Sequence, residues 1–279
     1  MITLTSLKTL NSAIARKKKP QRRWMRPTFS PEHGVLLILF GSFLTGAALA
    51  QQWTYTTTIA LICAFFALQV EHPYIVQIKL RKNLKPRYLI WGGIYGSIAL
   101  SLAVWLWFKT PTLLWIYLSA IAALAADGIA VVKGKHKSRI NEIVSFAGIC
   151  LSAPLAYGAT TGNLNTEAIA LWILNTLFFS SAVYTIKLRR KKTAAFTPGV
   201  IYHCVATLII ATLYYFNYLS LVTALAFAIA LLKLLIVFGF KDWYRQAKFH
   251  SIAMFETRFA LVYIAIASIS VLPAHLPPR

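Results

Sequence analysis

Glu32 and His33, in the stretch Ser30-Pro31-Glu32-His33-Gly34, stand directly before the first long apolar run of the chain. A carboxylate beside an imidazole can hold or pass a proton near neutral pH. The arrangement recurs as Glu71-His72-Pro73, Asn141-Glu142, Tyr202-His203 and Glu256 close to Arg258, each near the edge of an apolar run. If there is chemistry here, Glu32, His33, Glu142, His203 and Glu256 are its acid–base candidates. Glu71, His72, Asn141, Lys187, Arg190, Tyr202 and Arg258 are the candidates for holding a ligand, the basic ones by gripping anionic charge.

Each motif also has a plainer reading. Ser30 suits an N-cap, Pro31 a first helical position, and Glu32 the positive end of a helix dipole. Glu71-His72-Pro73 reads as the end of a span, because Pro73 discourages regular continuation. Asn141 reads as a cap with Glu142 in the first turn, and His203 as a buried, hydrogen-bonded histidine. Asp127 lies shortly before Lys133, which suggests an ion pair. Lys233 can snorkel outward, and mid-span Asn175 reads as a hydrogen-bonding tie between helices. A single Glu and His lack the further ligands a zinc site needs, so no metal and no cofactor is expected.

The elements that must position these residues are membrane helices. The chain is 58% apolar with a mean hydropathy of +0.63, too greasy for a soluble domain. Nine apolar runs fall near 33–51, 54–71, 88–108, 112–132, 142–160, 166–186, 198–216, 219–240 and 252–272, each about the length that crosses a bilayer as a helix. The connections alternate between nearly uncharged, such as Gln51-Gln52, and basic, such as Lys187 to Lys192. That alternation predicts a cytoplasmic N-terminus and a C-terminus on the opposite side. The net charge of +22 is therefore topological; it favours anionic headgroups and gives no sign of nucleic-acid binding. Six of the seven acids, all but Glu167, lie on or near the basic face, which the positive-inside rule does not explain. Residues 1–29 form a basic arm, 30–274 the membrane domain and 275–279 a short tail. Cys63, Cys150 and Cys204 each fall within an apolar run, as small core residues do.

Pro31-Glu32-His33-Gly34, Asn141-Glu142, Ile186-Lys187-Leu188-Arg189, Tyr202-His203 and Glu256 together resemble the YwiC-like family of bacterial membrane proteins, over nearly all of residues 30–272. That family brings no settled activity with it. More distantly, nine spans with functional loops on the cytoplasmic side resemble the UbiA-type intramembrane prenyltransferases. Members of that group hold magnesium and a prenyl diphosphate with two Asp-rich motifs. The corresponding segments here, Glu71 to Gln77 and Lys187-Leu188-Arg189-Arg190, are not Asp-rich, which argues against magnesium-dependent prenyl transfer. The expectation is an all-α polytopic transmembrane bundle of about nine helices, arranged like the prenyltransferase group. Its expected partners are membrane lipids and an anionic or isoprenoid-type amphiphile held in a polar cavity on the cytoplasmic side. A non-catalytic scaffold or assembly factor is the alternative, and a small-molecule transporter the third.

Overall fold

The computed structural model describes residues 27–29, 33–80, 83–189 and 195–272. Glu32, Arg190 and the side chain of His33 therefore lie outside the described residues.

Every described apolar run is helical. In chain order the helices are α1 (His33–Leu49), α2 (Tyr55–Leu80), α3 (Pro86–Lys109), α4 (Leu114–Val132), α5 (Arg139–Cys150), α6 (Ser152–Thr161), α7 (Thr166–Lys187), α8 (Thr197–Tyr215), α9 (Leu221–Leu225), α10 (Ala228–Gly239), α11 (Lys241–Gln246) and α12 (Phe249–Ser270). α5 with α6, and α9 with α10, each make one bent crossing. Among the described residues eight helical segments are long and apolar enough to span a bilayer, and α1 adds a shorter apolar helix. Large apolar side chains such as Leu208, Phe238 and Leu261 are exposed on the outside, as lipid-facing surfaces are. The protein is an integral, multi-pass helical membrane bundle.

The short α1 is the centre of the bundle, packed against α2, α5, α6, α7 and α12. Two glycines allow this closeness. A Cβ on Gly46 would come within 2.0 Å of the Ala153 carbonyl oxygen of α6, and one on Gly41 within 2.3 Å of Ile264 in α12. Small residues at such crossings let backbones approach, which is how membrane helices gain packing without a hydrophobic drive. Gly46→Ala should force α1 and α6 apart and cost about 1–3 kcal/mol, the usual range for overpacking. Unfolding in mixed micelles measures this, and a variant as stable as the parent would contradict the close crossing.

Polar contacts fix α1 further. Ser152 Oγ donates to the Leu39 carbonyl at 3.1 Å. Asn175 Nδ2 donates to Thr45 Oγ1 at 2.8 Å, and Tyr263 Oη donates to Asn175 Oδ1 at 2.7 Å. Asn175 is thus the interhelical tie expected from its mid-span position, joining α1, α7 and α12.

Two sequence expectations about helix ends need correcting. α2 does not stop at Glu71-His72-Pro73; it runs through Pro73 to Leu80. The ring of Pro73 is buried and lies where a Cβ on Gly92 of α3 would touch it at 3.5 Å. A neighbouring helix that close supports a proline inside a membrane helix. At α5 the cap is Ser138, whose hydroxyl accepts from the Asn141 amide at 3.2 Å. Asn141 sits within the first turn, and its side chain is free for another partner.

Candidate functional site

α7 separates two polar clusters near the basic face. Its last turn carries Thr185 and Lys187, whose side chains point to opposite sides because two residues turn a helix by about 200°. On one side Lys187 pairs with Glu142 of α5 at 2.6 Å and donates to the Lys137 carbonyl at 3.2 Å. The neighbouring Asn141 donates to Asp127 of α4 and to the His136 carbonyl. Asp127 therefore has Asn141 as its partner, where the sequence suggested Lys133. The His136 imidazole, in the loop between α4 and α5, is held below its ordinary range. Burial is the main cause, followed by Lys79 and Lys137, with Asp127 and Glu142 pulling the other way.

On the other side of α7, Glu256 of α12 gathers three donors. Lys233 Nζ of α10 lies 2.8 Å from Oε2, while Thr185 Oγ1 at 2.8 Å and Tyr244 Oη at 2.9 Å donate to Oε1. Burial and then the Glu256 charge push the Tyr244 phenol up, which keeps its proton for this bond. Lys233 does not snorkel: its side chain is 2% exposed. Pairing inside the bundle replaces hydration at the headgroups. His203 is buried alongside; its Nδ1 is 2.7 Å from the Gly199 carbonyl, and its Nε2 has no hydrogen-bond partner among the described residues. Tyr202 donates to the Leu177 carbonyl at 2.8 Å and stacks on Tyr184. Arg258 is exposed on α12, away from Glu256, and His72 is half-buried on α2.

Of the residues picked out from sequence, Asn141, Glu142 and Lys187 share one tying cluster and Glu256 anchors the other. Neither Glu142 nor Glu256 lines the apolar cavity found elsewhere in the bundle. That cavity, about 490 Å³, lies among α2, α3, α4, α5 and α6, with Leu39 of α1 at its back. It arises because α3 and α4, joined by the tight turn Pro111–Leu113, barely touch beyond it; α3 packs on α2, and α4 on α5 and α2. Leu100 and Val104 of α3 and Leu118 and Ile121 of α4 line it while exposed to the outside. The cavity therefore opens sideways, toward lipid.

Its lining is apolar except at the ends. On α4 it runs from Leu114 to Asp127, about 20 Å at the helical rise. On α2 it runs from Cys63 to Glu71, both helices reaching their carboxylates toward the basic loops. Glu71 and Asp127 are the charged residues of the lining, and both are acids. Nearer the neutral face, Tyr117 lines the cavity and has a buried hydroxyl without a hydrogen-bond partner among the described residues. The sequence reading singled out Glu71 but not Asp127 as a ligand contact. A legible signal was present: Ala64, Ala67 and Glu71, and Ala120, Ala123 and Asp127, are stripes of small residues at helical spacing that end in an acid. Among the described residues no group of three or more acids, histidines or cysteines is placed to hold a metal ion.

No curated protein and no solved structure matches the chain. A family model described as YwiC-like protein matches residues 29–157, slightly less than half of the chain. The resemblance thus holds over a shorter stretch than the motifs suggested, and Lys187, Tyr202-His203 and Glu256 lie beyond it. The matched stretch contains every residue that lines the cavity. From α1 into α6, this membrane bundle is similar to the YwiC-like family.

Proposed function

We propose that the protein binds an isoprenoid-type or other long-chain amphiphile, with the tail in the apolar cavity and the head at its acidic end. The observation that carries this reading is the lateral gap between α3 and α4. A slot about 20 Å deep along the helices, walled by Leu, Ile, Val and Ala and open to lipid, suits a chain arriving from the bilayer better than a water-borne metabolite. The unpartnered Tyr117 hydroxyl and the two carboxylates give an occupant polar anchor points within an apolar wall.

In this reading the basic face is cytoplasmic and the acidic end of the cavity opens toward the inner leaflet, as the alternating basic loops favour. Reporter tags at residues 84 and 190 should read cytoplasm, and tags at residue 162 and at the C-terminus the other side. A cytoplasmic C-terminus would contradict the orientation. The binding itself is tested by lipid analysis of gently purified protein. One amphiphile class should be enriched well above its share of the membrane, at close to one molecule per chain. Recovery of bulk lipid in membrane proportions would contradict the reading.

The clusters around Lys187 and Glu256 have a different role. Each joins helices that are distant in sequence, α5 to α7 and α7 to α10, α11 and α12. The Lys187–Glu142 pair holds the second half of the bundle against the first, and the Glu256 cluster ties the helices of the second half to one another.

A further inference from the structure

We infer that the groove between the last two turns of α2 and α4 seats one anionic phospholipid of the leaflet at the basic face, its phosphate at Lys133 and an acyl chain along α4. This site is separate from the cavity of the tail-binding reading and goes beyond it. Tyr74, Ala125 and Lys133 line the groove, and none of them lines the cavity.

The groove follows from the side chains that stand where the two helices end. Ala125, Ile129 and Val132 of α4 fall on one stripe at helical spacing, about 10 Å long. Ile78 of α2 lines the other side, and the space between is about 300 Å³. Ile129 and Val132 are each 55% exposed, so the stripe meets acyl chains. Tyr74 of α2 reaches across to Gly128, where a Cβ would lie 2.7 Å from the phenol oxygen. A side chain there would push the phenol off α4; the glycine lets it lie against the helix and brings its hydroxyl to the groove.

Charge decides the occupant. Lys133, the residue that ends α4, is the charged residue of the lining. It is exposed and makes no ion pair among the described residues. Two acids on neighbouring turns are turned elsewhere: Asp127 takes a hydrogen bond from Asn141, and Glu142 pairs with Lys187. Lys79 and Lys137 stand beside His136 in the adjoining loop and add to the same positive field. The end of α4 is the negative pole of its helix dipole, so ammonium groups, not backbone amides, must hold the phosphate. Tyr74, partly exposed near the basic loops, adds a neutral donor of the kind that suits headgroup oxygens. A zwitterionic lipid brings its own cation into this field and gains less.

The test is native mass spectrometry of the full-length protein titrated with dioleoyl phosphatidylglycerol or dioleoyl phosphatidylcholine, which share their chains and differ in head charge. The first phosphatidylglycerol should bind at least about fivefold more tightly than phosphatidylcholine, the size expected for one lysine at an anionic head. Lys133→Gln, an exposed change that leaves the fold intact, should cut that preference to less than about twofold. Lys241→Gln, at the start of α11 in a different basic loop, should leave it unchanged. Ala125→Phe fills the groove without altering its charge and should weaken phosphatidylglycerol at least about fivefold. Glycerophosphoglycerol, the same head without chains, should not displace the lipid. If phosphatidylglycerol is not preferred, or Lys241→Gln lowers the preference as much as Lys133→Gln, diffuse surface charge replaces the seat and the inference fails. It fails equally if Ala125→Phe changes nothing or glycerophosphoglycerol competes with the intact lipid, because the groove then holds no chain. Neither failure touches the cavity, whose lining these substitutions leave alone.

Discussion

Glu256→Leu should destabilise the folded protein by about 3–5 kcal/mol, the range for breaking a buried ion pair from one side. The substitution removes the acceptor of three hydrogen bonds at once, from Lys233, Thr185 and Tyr244. It also leaves an ammonium group 2% exposed, with the Phe178 ring 5.6 Å away as its remaining attraction. Lys233→Met should cost less, because Glu256 keeps two neutral donors, Thr185 and Tyr244. The double variant should then be more stable than Glu256→Leu alone, since its buried cation is gone. Equilibrium unfolding in mixed detergent micelles measures all three. A Glu256→Leu protein within about 1 kcal/mol of the parent would place the pair in the class of exposed, water-screened ion pairs.

Ala120→Phe should have the largest effect on ligand retention. Ala120 lines the cavity near the middle of α4, between Tyr117 and Asp127, and a phenyl group there occupies the path of any extended tail. The side chain enters existing empty space, so the overpacking cost of about 1–3 kcal/mol seen in filled cores is largely avoided. Stability should therefore hold while the co-purifying amphiphile falls to less than about a tenth of the parent's amount, a loss equivalent to about 1.4 kcal/mol or more of binding. Retention of the same lipid at parent levels would mean that it sits on the outer surface of the bundle.

The helices were legible from sequence because each is an apolar run of bilayer length, and length and hydropathy alone set that outcome. Their lateral relations were not. Nothing local to Lys233 says that its partner stands 23 residues further on, because the pairing depends on how α10 and α12 are rotated. Pro73 carried a stop signal that the close passage of Gly92 overrides. The acids on the basic face have different uses. Glu142 and Glu256 tie helices, whereas Glu71 and Asp127 face the cavity. The cavity itself follows from α3 and α4 parting after a tight turn, and periodicity holds no record of that. Only the small-residue stripes ending in Glu71 and Asp127 hinted at it.

The most direct measurement is an electron cryo-microscopy map of the protein in nanodiscs made from its native membrane. The expected result is a continuous, unbranched density between α3 and α4, from beside Tyr117 to within hydrogen-bonding distance of Asp127 or Glu71. A map in which α3 and α4 close on each other, or in which the space is empty while lipid coats the outside, would contradict the assignment of this cavity as the binding site.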